Sequence, residues 1–278
     1  MDPLIAVTGA TGAVGTRLTA RLDAAGAQLR LVVRDPARAP ELAGAEVRQA
    51  SGYGAGEEMR AALEGTDVLF LLPASETPDR VEQHLTAVDA AVAAGVRRIV
   101  YLSFFGASPD TTFTLARDHW HTEQAILATG VPWTFLRMNL YMDFVPSMVG
   151  ADGVIRGPAG DGRFAAILRD DVAAASAAVL MSDGHDGQSY DLTGPSAFTL
   201  AEAAALMSHD GRPVRFHDET DEEAFASRAS YGAPDFEVLG WVSSYWAIRD
   251  GSLERVSDGV RRLTGRDPVS LEAYLRDV

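Results

Sequence analysis

Leu4-Ile5-Ala6-Val7-Thr8-Gly9-Ala10-Thr11-Gly12-Ala13-Val14-Gly15 decides the fold. A short apolar run leads into a turn with glycines at positions 9, 12 and 15. The run has the unbroken hydrophobicity of a buried parallel strand. Each glycine answers a steric need. Gly9 permits a sharp turn off the strand, Gly12 lets the backbone approach a pyrophosphate with no Cβ in the way, and Gly15 lets the next helix pack closely on the sheet. Val14, Leu18 and Leu22 then recur at helical spacing. The amides and the positive dipole end of that helix point at the phosphates. Gly9, Thr11, Gly12, Val14 and Gly15 are therefore the expected phosphate contacts. A plain tight turn is the bland alternative, and the strand–turn–helix context argues against it.

Working outward, strand and helix patterns alternate. Strands are predicted at Leu4–Thr8, Leu29–Arg34, Ala45–Gln49, Asp67–Leu72, Arg98–Ser103 and Trp133–Arg137. Helical spacing lies between them, as in Val81, Leu85, Val88 and Val92, and Gly26, Gly65, Gly95 and Gly130 mark helix ends. Such alternation gives an α/β fold, a doubly wound parallel sheet with helices on both faces. After Asn139 the pattern changes. Asp152-Gly153, Arg156-Gly157-Pro158 and Gly160-Asp161-Gly162 read as a loop-rich crossing. Arg163–Leu168 and Gln188–Thr193 read as strands, and Asp170–Met181 as a helix capped by its aspartates. Beyond Ser196 helices dominate, with N-cap signals in Ser196-x-x-Thr199-x-x-Glu202, a short strand at Pro213–His217, and helices at Glu222–Tyr231, Asp235–Ile248 and Leu253–Leu263. The expected division is a nucleotide-binding domain over residues 1–150, completed by 163–193, and a mainly helical substrate lobe within 151–278.

Composition removes several function classes. The 278 residues contain no cysteine, so disulfides, zinc–thiolate sites and cysteine nucleophiles are excluded. A formal charge of −15 opposes nucleic acid or anionic membrane as a main partner. The apolar runs are too short to span a bilayer, and the chain enters a strand at once, with no secretory signal. A cytoplasmic location is the resulting expectation. All 24 Lys+Arg residues are arginine. No lysine is available to grip a ribose or to lower the pKa of a tyrosine. Three His-Asp pairs, at His185, His209 and His217, lack helical metal-site spacing and read as solvated turns, so no metal is expected.

The second strand ends Leu31-Val32-Val33-Arg34-Asp35. NAD-specific folds place a carboxylate at this point for the 2′-hydroxyl. Arg34 occupies it here, with Arg38 four residues on. Two guanidinium forks suit a 2′-phosphate, so NADP(H) is the favoured cofactor. Asp35 keeps NAD(H) open, and two solvated surface arginines are the bland reading.

The chain resembles the atypical short-chain dehydrogenase/reductase group that includes NmrA-like proteins, NAD(P)H:quinone oxidoreductases and triphenylmethane reductases. The resemblance runs over nearly the whole length. Its marks are the glycine turn, Val32–Pro36, Gly95–Ser103, His119-Trp120-His121-Thr122-Glu123, Gly130–Arg137, Asp191–Pro195 and Ser257–Arg266. Two departures stand out. Ser51-Gly52 replaces an aspartate often found after the third strand, and Met138 replaces a proline. The resemblance implies a Rossmann-type fold. It also implies a nicotinamide lying across Leu72, Pro73 and the following residues and near Ser103, and a pocket between sheet and C-terminal lobe.

Typical short-chain dehydrogenases use Tyr-x-x-x-Lys, the tyrosine as proton donor and the lysine to lower its pKa. This chain has no such pair: the corresponding helix carries His119, preceded by Phe113-Thr114-Leu115-Ala116-Arg117-Asp118. A ketone needs a firm general acid. A quinone, an enone or a cationic dye delocalises the incoming charge and lets solvent finish the protonation. His119 is the candidate polar group opposite the nicotinamide, against the alternative of a surface histidine paired with Glu123. Ser103, at a strand end, and Asn139 and Tyr141, after the sixth strand, are further candidates to touch cofactor or substrate. Phe104, Phe105, Tyr141, Met142, Phe144 and Met148 suit an apolar wall for a flat aromatic or conjugated small molecule, although such clusters are more often core. Trp241, Tyr245 and Trp246 read as lobe packing.

The leading expectation is an NADP(H)-dependent oxidoreductase acting on a quinone-like or other conjugated acceptor. A non-catalytic NmrA-like redox sensor is the alternative. A sugar epimerase or dehydratase ranks last, because it needs the tyrosine–lysine pair. A homodimer is open.

Overall fold

The computed structural model describes residues 2–209 and 211–277. The first half is a run of β1 (Leu4–Thr8), α1 (Ala13–Ala24), β2 (Gln28–Val33), β3 (Ala45–Gln49), α2 (Gly56–Leu63), β4 (Val68–Leu71), α3 (Arg80–Ala93), β5 (Arg98–Phe104), α4 (Thr114–Thr129) and β6 (Trp133–Met138). It continues with β7 (Val154–Gly157), α5 (Arg169–Leu180), β8 (Gln188–Leu192), α6 (Leu200–Met207), β9 (Arg215–Asp218), α7 (Asp221–Arg228), α8 (Asp235–Arg249), α9 (Gly259–Thr264) and α10 (Leu271–Asp277). Seven strands form one parallel sheet in the order β3-β2-β1-β4-β5-β6-β8. The chain leaves β1 toward β2 and β3, then returns to the other side of β1 for β4 and β5. The crevice at the carboxyl ends of β1 and β4 is thus the switch point where ligands bind in such sheets. This is the Rossmann-type architecture expected.

Alternating side chains divide the core between two faces. Val7, Phe70, Val100, Leu102 and Leu136 pack with Leu18 and Leu22 of α1 and with Val172 and Val179 of α5. Ala6, Leu69, Ile99, Tyr101 and Phe135 pack with Met59 of α2, Ala87, Val88 and Ala91 of α3, and Ile126 of α4. Every one of these strands is buried on both faces, which explains their unbroken hydrophobicity.

Several local readings need correction. Arg163–Leu168 is not a strand: Phe164 and Ile167 make only single bridges, to Phe198 and Tyr141. A strand was instead hidden in the glycine-rich crossing, where β7 pairs in parallel with β9. The helix expected over Leu253–Leu263 is confined to Gly259–Thr264. Asp170 and Asp171 do not cap α5; they lie in its first turn, with no side chain capping at Leu168. Asp170 binds Arg21 at 2.6 Å, and buried Asp171 accepts from Val269 N at 2.9 Å and faces Arg266 at 2.7 Å. On α3 the apolar stripe only partly meets the core: Val88 is buried, but Leu85 and Val92 are exposed, while Arg80 and His84 are buried. The capping box read at Thr199 and Glu202 is present.

Among the described residues no three His, Cys, Asp or Glu side chains cluster as metal ligands. No helix among them is long and apolar enough to cross a membrane. His185 is a hydrogen-bonded turn residue, 2.8 Å from the Tyr190 hydroxyl. His209 and His217 are exposed, and Asp210, the partner of His209 in sequence, lies outside the described residues.

Candidate active site

The glycine turn forms as its sterics dictate. Gly9 takes a left-handed φ of +61°, and Gly12 N donates to Gly9 O at 2.9 Å. A Cβ at Gly15 would stand 2.1 Å from Gly9 O and 2.8 Å from Ala10 Cα. The first turn of α1 therefore rests directly on the backbone of the glycine turn, closer than any other residue would allow. Gly12 is the N-cap of α1 and brings no side chain. Thr16 N makes the first helical bond to Gly12 O at 2.9 Å, so the amides of Ala13, Val14 and Gly15 have no partner among the described residues. Val14 has its side chain in the core and Thr11 is exposed. This cradle fits a pyrophosphate: unpaired amides, the positive end of a helix dipole and no Cβ in the approach.

At the end of β2, Arg34 is exposed and its carbonyl is held by Gln49 Nε2 at 3.0 Å. Asp35 Oδ1 accepts from Ala37 N at 3.0 Å, at the start of the 3-10 turn Pro36–Arg38. The carboxylate that kept NAD(H) open thus uses one oxygen in its own turn. Among the described residues neither Arg34 nor Arg38 has an ionic partner. Tyr53, which the sequence reading missed, packs between this corner and the crevice. Its hydroxyl donates to Leu72 O at 2.8 Å. Burial pushes its pKa up to about 12, against the pull of the nearby Arg34 charge.

Leu72 abuts the glycine turn, its Cβ 3.2 Å from where a Cβ on Gly9 would lie. Leu72 N donates to Thr8 Oγ1 at 3.0 Å. Leu72 and Pro73 thus stand on the β4 side of the crevice.

Three expected site residues are placed otherwise. Ser103 lies beneath α4, fully buried, and donates to Glu123 Oε1 at 2.6 Å. Glu123 is buried too and is paired with Arg137 Nη2 at 2.6 Å, so it is no surface partner for His119. His119 is buried with its Nδ1 3.0 Å from the Tyr101 hydroxyl, between Tyr101 and Phe104. Burial and the positive charge of Arg80 hold its pKa well below the ordinary histidine value. Asn139 is fully buried and staples loops, donating to Leu253 O at 3.0 Å and accepting from Leu140 N at 2.7 Å. Ser103, at the end of β5, and His119, on α4, meet across the packed β5–α4 layer, and Asn139, just after β6, is enclosed by the loops it bonds, so none of the three reaches the opening.

Tyr141 does face an opening. A cavity of about 680 Å³ lies between the segment after β6 and the C-terminal lobe. Its aromatic wall is Tyr141, Phe144, Phe164, Tyr231, Trp241 and Tyr245. Trp241 and Tyr245, expected as lobe packing, are therefore cavity residues, while Trp246 packs within the lobe and donates to Asp221 at 2.8 Å. Phe104, Phe105 and Met142 are core, and Met148 lines the cavity. The guanidinium of Arg169 sits 4.0 Å over the Tyr141 ring and pairs with Asp143 at 2.9 Å. Both lining cations are paired: Arg228 with buried Glu219 at 2.8 Å and Arg156 with Asp152 at 2.6 Å. Burial raises the pKa of the Tyr141 and Tyr245 hydroxyls, so neither is poised to give up a proton near neutrality.

The switch-point crevice, the cradle and the arginine corner define a dinucleotide-binding Rossmann protein. The chain belongs to the NAD(P)H-binding family, which it matches over residues 9–183. It is 39% identical over 277 residues to quinone oxidoreductase 2 of Escherichia coli (strain K12), covering 96% of both chains. An NADPH-dependent quinone oxidoreductase from Escherichia coli, solved with NADPH, superposes with a TM-score of 0.90 at 34% identity, over 98% of this chain and 99% of that one. The triphenylmethane reductase of a Citrobacter species, solved with NADP(H), superposes with a TM-score of 0.86 at 31% identity, over 98% of this chain and 99% of that one. The relatives are those the sequence resemblance anticipated, and NADP(H) is the cofactor their structures contain.

Proposed function

We propose that this protein is an NADPH-dependent reductase that delivers hydride to a quinone-like or other conjugated acceptor held in the aromatic cavity. The observation that carries this reading is the cavity itself. It is large, walled by aromatic faces, and its buried cation is already paired with a carboxylate. The Escherichia coli relative is named for quinones and the Citrobacter protein for triphenylmethane dyes. Both acceptor types are aromatic or conjugated and take a hydride into a delocalised system.

Bound NADPH supplies the hydride. The chain's own residues bind, orient and exclude water. The amides at the start of α1 and the fork of Arg34 hold the two phosphate groups. Leu72 and Pro73 wall the crevice, and Tyr141, Trp241 and Tyr245 stack the acceptor. No side chain plays the part of the tyrosine–lysine pair: lysine is absent, and His119 is tied to Tyr101. A quinone takes the hydride and one proton from solvent to become a hydroquinone, with NADP left oxidised. On this reading the chain is an atypical short-chain dehydrogenase, with residues 151–278 mainly as the acceptor lobe. A sensor that turns nothing over has no need of such a cavity. NADPH oxidation followed against quinones, enones, cationic dyes and simple ketones is the test. Turnover with the first three classes and none with ketones is expected; ketone turnover alone, or none with any acceptor, would reject the proposal.

A further inference from the structure

The segment joining β4 to α3, residues 72–79, is pinned from behind by α3 and α4. Both backbone polar groups of Ala74 are taken. Ala74 N donates to His84 Nε2 at 2.8 Å, and Ala74 O accepts from Arg80 Nε at 3.1 Å. His84 is fully buried, and its Nδ1 lies 2.8 Å from Thr122 Oγ1 on α4. The Thr122 hydroxyl gives its own proton to Asp118 O at 2.8 Å, so it must accept from Nδ1. That fixes the tautomer. The proton sits on Nδ1, and the lone pair of Nε2 faces Ala74. Arg80, also buried, completes the clamp by reaching Asp118 Oδ2 at 3.3 Å. Burial holds the His84 pKa down to about 3, so the ring stays neutral across the working range. Nothing in a Rossmann fold demands a buried histidine here, since an apolar residue would pack α3 equally well.

We propose that His84 is a positioning residue for the dinucleotide: by accepting the Ala74 amide proton it fixes the Leu72–Ala74 backbone as the wall of the crevice that the cofactor must cross. The crossing follows from the β1/β4 switch point, where Leu72 abuts Gly9. His84 touches neither cofactor nor acceptor. The proposal rests on NADP(H) binding in that crevice.

Two substitutions separate the roles of the ring nitrogens. In His84→Gln the Oε1 atom reaches the place of Nε2 and still accepts from Ala74. In His84→Asn the Nδ2 atom replaces only Nδ1, keeping Thr122 and losing Ala74. NADPH affinity is measured directly, by calorimetric titration of the full chain without acceptor, and the Ala74 amide is followed by NMR hydrogen exchange. His84→Asn should weaken NADPH about five- to tenfold and speed Ala74 exchange, the loss of one buried hydrogen bond. His84→Gln should stay within about twofold of the parent on the same scale. The KM for acceptor should not move in either variant. If His84→Asn does not fold, Thr122→Val tests the same link at a distance. Removing the acceptor for Nδ1–H favours the other tautomer, whose Nε2–H would repel Ala74 N–H, and NADPH should weaken while Thr122→Ser restores it. Equal losses in the Asn and Gln variants, or unchanged affinity in a folded Asn or Val variant, would overturn the proposal. A parent that binds no NADPH would remove the cofactor reading and this proposal with it. Normal parent binding with no Asn–Gln difference would remove this proposal alone.

Discussion

Replacing Gly15 and Gly12 in turn by alanine should separate the structural glycine of the turn from the ligand-facing one. At Gly15 the new Cβ would lie 2.1 Å from Gly9 O, whereas ordinary contact begins at 3.4 Å, so 3.4 − 2.1 = 1.3 Å of movement is required. The obstacle is backbone, so no rotamer change relieves it. Overpacking of this kind costs about 1–3 kcal/mol. In a chain of this size that lowers Tm by about 2–5 °C. The movement also displaces the unpaired amides of α1 by about the length that separates a good hydrogen bond from none, so NADPH should weaken tenfold or more, at about 1.5 kcal/mol or above for each charge-assisted bond. At Gly12 the Cβ meets only Gly9 O, at 3.3 Å, and φ is −84°. Alanine there should cost only about 0.5–1 kcal/mol as a poorer N-cap. It should nonetheless weaken NADPH strongly, because the methyl group stands in the phosphate approach. Circular dichroism melts and NADPH titration read the two effects separately. If Gly12→Ala lost as much Tm as Gly15→Ala, or bound NADPH like the parent, the assignment of roles would be wrong.

Other outcomes follow from the same geometry. Arg34→Ala should weaken NADPH about tenfold and leave NADH nearly unchanged, as the loss of one charge-assisted contact to the 2′-phosphate requires; equal loss of both cofactors in titrations would refute the arginine corner. Gly157→Ala would set a Cβ 2.2 Å from Tyr245 Cε1 and force that ring to shift. The expected result is a lower kcat/KM for multi-ring acceptors than for single-ring quinones, with NADPH affinity intact. Stability should fall below about pH 6.5, the ordinary histidine pKa. His84 and His119 are held neutral in the fold, so the unfolded chain takes up their protons first as pH drops. His84 alone accounts for about 2 kcal/mol by pH 5, since each pKa unit is worth about 1.4 kcal/mol. The raised carboxyl pKa values of Glu76 and Asp118 oppose this, and denaturant melts of the parent against His84→Gln isolate the histidine share.

What was legible in the sequence is what local sterics encode. The glycine turn and the central strands were readable because each depends on neighbours a few residues away. Ser103, His119 and Asn139 were misplaced because their roles depend on which face of a strand end or helix meets the next layer, and a shift of one residue reverses that. Trp241 and Tyr245 failed for another reason. An aromatic side chain on a lobe helix has the same spacing whether it fills a core or borders a cavity. His84 was hidden by the more hydrophobic Leu85 and Val92 beside it. Hydrophobic spacing caught Val88 but not the first turns of the buried face of α3, which carry Arg80 and His84 where they must grip a loop.

Every side chain that borders the aromatic cavity comes from residue 140 or later. The glycine turn, the arginine corner and the Ala74 clamp all precede it. On the proposed reading, coenzyme grip and acceptor taste are written in separate stretches of one chain. A lineage or an engineer can recast the second without rewriting the first, and a set of reductases with one reductant and many oxidants is the natural result.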